Sequence, residues 1–316
     1  KLYLFTALML KRISDAQTST FSLEQKKNYL NPNLKIAQEM IYLPLEQIFI
    51  DAKKYLQANN IKYSYLILLD QIIEGAPLLE LKKIFEKNGI NYYNLAALLP
   101  DKITYQKNYT LGWDAHWNRA GAELFAKFCK QILDYENIYQ PLPSNFYNQY
   151  LEKLEAYYKK QEQLAHQQNE DFIGSVFLHS NEINFNSQDN VNKYIIYGNW
   201  QYFPLINEKP QARFDGVWCS KKLGIAFSVI EPPKKIKFYY DTFEFSNNTR
   251  IYINNQEVPY NIRQIDNRGI IEITNIPIQE KNNSLFFYEI YFDFDKYFKD
   301  KNNRIYTWFL NKIILE

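Results

Sequence analysis

The chain has 316 residues, enough for two domains with separate hydrophobic cores. Its 37 Lys and Arg residues nearly balance its 35 Asp and Glu residues, and with a net charge of only +2 we expect no nucleic-acid partner. No apolar run reaches the ~20 residues of a membrane-spanning helix, so we expect no transmembrane segment in this chain. Cys129 and Cys219 lack metal-ligand spacing, and we expect both to be free buried thiols.

Helical and apolar segments alternate along the first part of the chain. Residues 1–13 are predicted to form an amphipathic helix, and residues 34–58 carry apolar side chains at three- and four-residue steps. The apolar run 63–69 is typical of a strand buried on both faces. A helix over 78–88 and a second strand over 90–94 follow. This order predicts a parallel β-α-β unit, which binds ligands at the carboxyl ends of its strands.

The turn from Asp114 to His116 follows the second predicted strand and carries one of only three histidines. Asn118 is a good N-cap for the helix that begins there, and Gly121 lets that helix approach a neighbour closely. An imidazole can act as a general base near pH 7, and a nearby carboxylate such as Asp114 can orient it. The alternative is a solvated loop histidine, with Asp114 as an accessory cap.

The run Asp114-Ala115-His116-Trp117-Asn118-Arg119-Ala120-Gly121 resembles the last sequence block of the SGNH/GDSL hydrolase superfamily. The two-residue step from Asp to His, with Trp after it, is similar to the branch with polysaccharide O-acetyltransferases. The resemblance covers roughly residues 40 to 134. It implies an α/β fold with a flavodoxin-like parallel sheet, and a Ser-His-Asp triad whose His and Asp are His116 and Asp114.

The same resemblance implies the surroundings of the site. Trp113, Trp117 and Asn118 are candidate substrate-binding residues, with core packing as the expected role of at least one of the two tryptophans, and the substrate is a carbohydrate or polysaccharide ester. The chemistry requires no metal and no organic cofactor. A periplasmic or cell-surface location is expected from the family.

The serine block of that family is missing from this sequence. It contains no Gly-Asp-Ser and no Gly-X-Asn-Asp block, and it begins with Lys. Two parallel strands are too few for a stable sheet, since sheets usually have ~4–6 strands. We therefore expect the serine block to lie upstream, with the missing strands coming from there or from the C-terminal half. Ser175 and Ser180 are poor nucleophile candidates because no helix follows them to supply backbone donors.

In the second half of the chain the spacing of apolar residues changes from the period of a helix to that of β-strands. Residues 145–169 are predicted to be a charged connector helix, and short strands separated by Asn, Asp, Gly and Pro follow from residue 172. Eight or so such strands predict an antiparallel β-sandwich or jelly roll, with Asn254-Asn255 as a hairpin tip of positive φ. Five aromatic residues are candidates for stacking on sugars, with core packing as the alternative: Trp200, Tyr202, Trp218, Tyr239 and Tyr240.

These observations divide the chain into three parts. Residues 1–136 are expected to be the C-terminal part of an SGNH-type α/β domain, 137–171 a linker and connector helix, and 172–316 a β-sandwich that could bind carbohydrate. The function predicted is that of a serine esterase or O-acyltransferase acting on acyl esters of carbohydrate, with acetyl as the first choice. Two alternatives are a non-enzymatic carbohydrate-binding or cell-surface interaction protein and an assembly module.

Overall fold

The computed structural model describes residues 31–61, 66–68, 73–99, 101–111, 116–136, 145–199, 216–242, 249–265, 268–279, 281–299 and 305–316. The chain forms two compact units. One is the segment Tyr42–Gln168, and the other joins the residues before Tyr42 to Asn169–Glu316. The domain boundaries expected from the sequence stay a prediction, and the expected helix over residues 1–13 lies outside the described residues.

The unit Tyr42–Gln168 is mostly helical. A short helix α1 (Lys35–Ala37) and a π-helical turn (Gln38–Tyr42) lead into it, and its elements are α2 (Leu43–Ala58), β1 (Leu66–Leu68), α3 (Ala76–Lys87), β2 (Tyr92–Asn94), a 3-10 turn (Leu95–Leu98), α4 (Lys102–Tyr109), α5 (Arg119–Tyr135) and the start of α6 (Asn145–Ser175). Pro44 stands in the first turn of α2, directly after the π-helical turn. The helix predicted over 78–88 is confirmed within two residues. The stretch predicted to be helical over 34–58 is helical from Lys35 to Ala58 but forms three successive segments, α1, the π-helical turn and α2, and α2 begins one residue before Pro44.

Two small apolar clusters stabilise this unit. The ring of Phe85 on α3 meets Phe49 of α2 edge-on at 4.8 Å and Tyr92 of β2 at 5.2 Å. Tyr93, Phe128 and Tyr150 form the second cluster, which joins β2, α5 and α6. Each cluster buries one face of an amphipathic helix, which is the source of most helix stability in proteins.

The predicted flavodoxin-like parallel sheet is wrong. Among the described residues the only parallel pair of strands is three residues long, with Leu66 facing Tyr92 and Leu68 facing Asn94, and the other parallel contact is an isolated bridge between Phe177 and Ser228. The remaining strand pairs among the described residues are antiparallel, and they belong to the other unit. A β-α-β pattern in sequence sets the direction of two strands but does not supply the neighbours that an α/β sheet needs.

The other unit is built on β-strands. Its elements are the end of α6, β3 (Glu182–Asn184), α7 (Gln188–Tyr194), β4 (Ile195–Asn199), β5 (Val217–Val229), β6 (Ile236–Thr242), β7 (Arg250–Ile253), β8 (Gln256–Glu257), β9 (Asn261–Ile265), β10 (Arg268–Ile273), β11 (Lys281–Asn282), β12 (Leu285–Asp293), β13 (Phe298–Lys299), β14 (Ile305–Tyr306) and β15 (Trp308–Leu315).

One 11-stranded antiparallel sheet, curled into a half-barrel, replaces the predicted sandwich or jelly roll. The main order is β8-β7-β12-β5-β15-β6-β10-β9, and β11, β3 and β4 pair with β12, β15 and β5. The 13-residue strand β5 pairs with β12 over Lys222–Val229 and with β15 at Val217 and Trp218, so the sheet stays continuous at that strand. Short strands show the same alternation of apolar and polar residues in one curled sheet and in two packed sheets, so the sequence pattern does not distinguish these two architectures.

Local turn chemistry in this unit follows the sequence. Asn254 and Asn255 have φ of 47° and 71° between β7 and β8, which confirms the predicted hairpin tip. Tyr240 was a candidate for an exposed sugar-stacking ring, but it is 1% exposed and stacks on Trp308 at 4.1 Å. Trp218 is half-buried against Phe309, so core packing explains both rings better than an exposed platform.

Candidate functional site

The loop that carries His116 is closed at its base by backbone hydrogen bonds. Thr110 and Trp117 form an antiparallel bridge, and the Leu111 N–H donates to the His116 carbonyl oxygen at 3.0 Å. The Asn118 N–H donates to the carbonyl oxygen of Tyr109 at 3.1 Å. These contacts hold together Leu111 and His116, the two described ends of the connection between α4 and α5, which we call the His116 loop.

Asn118 anchors this loop with its side chain as well. The side-chain oxygen accepts a hydrogen bond from the Gly121 N–H at 3.0 Å, which confirms the predicted N-cap of α5. The side-chain amide donates to the carbonyl oxygens of Asn108 at 2.9 Å and Thr110 at 3.0 Å. One side chain therefore joins the start of α5 to the end of α4. The structure gives Asn118 a positioning role, while its predicted contact with substrate stays a prediction.

Gly121 allows the close approach that the sequence predicted. A Cβ atom at this position would lie 2.3 Å from the carbonyl oxygen of Tyr109 and 3.0 Å from the Cβ of Trp117. Because the nearest atom belongs to the backbone, it cannot move aside as a flexible side chain would. A glycine is needed here for α5 to begin directly against the base of the loop.

Trp117 packs beneath the loop. Its Nε1–H donates to the hydroxyl oxygen of Tyr105 on α4 at 2.7 Å, and its ring centroid lies 4.9 Å from that of Phe125 on α5. The side chain is half-buried and its polar end is satisfied. These contacts give Trp117 a structural role, and its predicted contact with substrate stays a prediction.

His116 is exposed, and so is part of the neighbouring apolar surface. Leu111, which is hydrogen-bonded to His116 through the backbone, is 42% exposed. Trp113 and Asp114 lie outside the described residues, so the predicted pairing of Asp114 with His116 is not tested. The described part of the site is an exposed imidazole whose backbone carbonyl accepts a hydrogen bond from the Leu111 N–H.

Neither serine that the sequence offered as a nucleophile lies in a nucleophile elbow. The Ser175 hydroxyl donates to the carbonyl oxygen of Phe172 at 2.7 Å at the end of α6. The Ser180 hydroxyl donates to the carbonyl oxygen of Glu182 at 2.8 Å in a tight turn before β3. Both hydroxyls satisfy local backbone groups, which is the usual use of serine in turns.

The described residues offer little that would hold a metal or react as a thiol. They contain no cluster of three or more His, Cys, Asp or Glu side chains that could bind a metal ion. Both cysteines are free, and burial raises the pKa of the Cys219 thiol to about 12 and also raises that of the half-buried Cys129.

Across the described ranges, no helix has both the length and the apolar character that a membrane crossing requires.

A buried carboxylate in the sheet unit was missed from the sequence. Glu289 on β12 is 3% exposed, and its carboxylate accepts the backbone N–H groups of Lys35 at 2.9 Å and Ile36 at 3.3 Å. Burial raises the pKa of Glu289 to about 7, although the two N–H donors and the charge of Lys35 oppose the shift. The available signal was a lone glutamate inside the apolar run of β12, since such a residue needs a partner when buried.

Glu39 fixes the same segment to the sheet. Its carboxylate accepts from the Lys222 ammonium and from the Tyr291 hydroxyl, both at 2.9 Å. Burial raises the pKa of Glu39, but these two partners outweigh burial and hold it below the ordinary value. Glu289 and Glu39 together hold α1 against β12 and β5, which is a structural role.

Comparison with known proteins gives no family for this chain. No protein-family model matches the sequence, and no curated protein matches it.

Proposed function

We propose that this protein acts on acyl esters of carbohydrate, as a serine esterase or an O-acyltransferase, with His116 as the general base. The observation that carries the proposal is the base of the His116 loop, where Leu111 and His116 are hydrogen-bonded through the backbone while the His116 side chain is exposed. An imidazole whose backbone is held in place loses little entropy when it meets a reacting hydroxyl. The resemblance of residues 114–121 to an SGNH block supplies the reaction class.

In the proposed reaction a serine hydroxyl attacks the acyl carbon while His116 takes its proton. The resulting imidazolium donates that proton to the departing sugar alkoxide, and an acyl-serine remains. His116 then deprotonates water, or a second sugar hydroxyl, which attacks the acyl-serine. The bond between the acyl carbon and the serine oxygen breaks, and the imidazolium returns its proton to that oxygen, which regenerates the serine and neutral His116. Asp114 orients the ring and stabilises the imidazolium in this scheme.

The proposal rests on the loop and does not require a flavodoxin-like sheet. It does not use Ser175 or Ser180 as the nucleophile, because their hydroxyls donate to nearby carbonyl oxygens. The exposed side chain of Leu111 offers apolar surface beside His116 that suits the methyl group of an acetyl ester.

The experiment uses the complete protein with three substrates: p-nitrophenyl acetate, acetylated xylo-oligosaccharides and acetylated chito-oligosaccharides. Acetate release reports hydrolysis, and mass spectrometry of an unacetylated acceptor sugar reports transfer. Turnover of any of these substrates supports the proposal. If the folded protein neither releases nor transfers acetate, the proposal is wrong, and a non-enzymatic carbohydrate-binding or cell-surface interaction protein becomes the better account.

A further inference from the structure

A cavity of about 210 Å³ lies between α5 and α6 in the helical unit. Its buried end is formed by Phe128 and Tyr150, which are 2% and 3% exposed, and its walls include Leu98 and Leu124. The hydroxyl of Tyr150 accepts the backbone N–H of Asn94, so it presents an aromatic ring rather than an unsatisfied polar group. The inner part of the cavity is therefore suited to an apolar chain.

Two cations stand at the opening of this cavity. Lys127 on α5 and Lys153 on α6 both line it and are both exposed. Among the described residues neither lysine has an ion-pair partner, and no lining residue is acidic. Glu123, the natural i−4 partner of Lys127, is paired instead with Arg119 at 2.7 Å. The opening is thus positively charged, whereas the chain as a whole is nearly neutral.

We infer that this cavity binds an unbranched medium-chain carboxylate, with the alkyl chain against Phe128 and Leu124 and the carboxylate between Lys127 and Lys153. The cavity has the volume of about seven water molecules at ~30 Å³ each. An alkyl chain of six or seven carbons fills that space and leaves the carboxylate at the opening. A compact anion such as phosphate would meet the two lysines but leave the apolar end empty.

The cavity is separate from the loop that carries His116. Leu111, His116 and Trp117 are not among the residues that line the cavity. The lining residue of α5 that comes first in the chain, Leu124, lies five residues from Arg119, which is ~7.5 Å at 1.5 Å per residue. A carboxylate bound there does not occupy the position of a reacting ester at His116. The inference therefore stands or falls independently of the proposed enzymatic function.

Isothermal titration calorimetry with the complete protein tests the inference, using octanoate as the probe and octylammonium as the oppositely charged comparison. Octanoate is expected to bind saturably at one site, and octylammonium is expected not to bind, because the lysines repel it. Equal binding of both amphiphiles, or no saturable octanoate binding, would overturn the inference.

Variants locate the site. Leu124→Trp fills the cavity and should abolish octanoate binding, and Leu98→Phe serves the same purpose if Leu124→Trp fails to fold by circular dichroism. The double substitution Lys127→Gln/Lys153→Gln should weaken binding by roughly threefold to tenfold, as expected for two exposed ion pairs. Lys159→Gln/Lys160→Gln is the matched control, since it removes the same charge from exposed positions of α6 outside the cavity. Octanoate affinity that is unchanged in the filled variant, or equal in the two lysine pairs, contradicts the assignment.

Discussion

The side-chain amide of Asn118 donates a hydrogen bond to the carbonyl oxygen of Thr110 at 3.0 Å, and this contact ties the start of α5 to the base of the His116 loop. The same side chain accepts from Gly121 and donates to Asn108. Because Asn118 makes three hydrogen bonds at the base of the loop, we expect the geometry of the loop to depend on this side chain.

Replacing Asn118 by alanine should therefore affect stability and function together. Loss of an N-cap costs about 1 kcal/mol, and the two carbonyl oxygens lose partners worth about 1 kcal/mol each. We expect Asn118→Ala to lower the free energy of unfolding by about 1–3 kcal/mol in urea denaturation. In assays well below the denaturation midpoint it should also lower kcat. Asn118→Asp retains the cap but loses the amide donor, so its free energy of unfolding should lie between those of the wild type and Asn118→Ala.

Gly121 provides a sharper steric test. A Cβ atom 2.3 Å from the Tyr109 carbonyl oxygen forces α5 away from the loop, and Gly121→Ala should destabilise the protein by about 1–3 kcal/mol. Gly174→Ala is the matched control, because the same substitution in α6 meets no atom within 4 Å. The control should gain about 0.5–1 kcal/mol from the lower entropy of the unfolded chain. Equal effects at the two glycines would contradict the close approach.

The buried carboxylate of Glu289 predicts a dependence of stability on pH. Its pKa is about 7 in the folded protein and 4.5 for an unperturbed glutamate, so the folded state binds the extra proton between these values. The stability contributed by this proton is fully present below pH 4.5 and is lost as the pH rises through about 7. The gain on moving from pH 8 to pH 5 is on the order of 2–3 kcal/mol.

Glu289→Gln removes this titration while keeping the shape of the side chain. Urea denaturation of the two proteins at pH 5 and pH 8 should show that the substitution costs more stability at pH 5 than at pH 8. The charges nearest to this carboxyl belong to Lys35 and Glu39, so Glu39→Gln controls for a carboxylate in the same network whose pKa is lowered. Parallel pH profiles for wild type and Glu289→Gln would show that Glu289 does not titrate in this range.

The two cysteines should react at different rates with a thiol reagent. With a pKa of about 12, the Cys219 thiol is only about one part in ten thousand thiolate at pH 8, and its side chain is fully buried. We expect iodoacetamide to label Cys129 slowly and Cys219 only after denaturation, as followed by peptide mass spectrometry. Labelling of Cys219 in the native protein would show that the β5–β15 region opens.

Features set by neighbouring residues could be predicted from the sequence. The Asn118 cap, the role of Gly121 and the Asn254-Asn255 hairpin depend on local chemistry within a few residues. The contact between Glu289 and Lys35 joins residues 254 apart in the chain, and no local pattern indicates such a partner. The burial of Tyr240 depends on Trp308 in the same way. The single curled sheet was also missed, because alternation reports which side chains face inward but not which strands pair.

The most direct test of the account compares acetyl-ester turnover by the wild-type protein with that by His116→Ala, measured as kcat/KM at pH 7. His166→Ala is the control, because His166 is an exposed histidine on α6. The account predicts that His116→Ala lowers kcat/KM by about 10²–10⁴-fold while His166→Ala leaves it unchanged and both variants remain folded. Undiminished turnover by His116→Ala would contradict it.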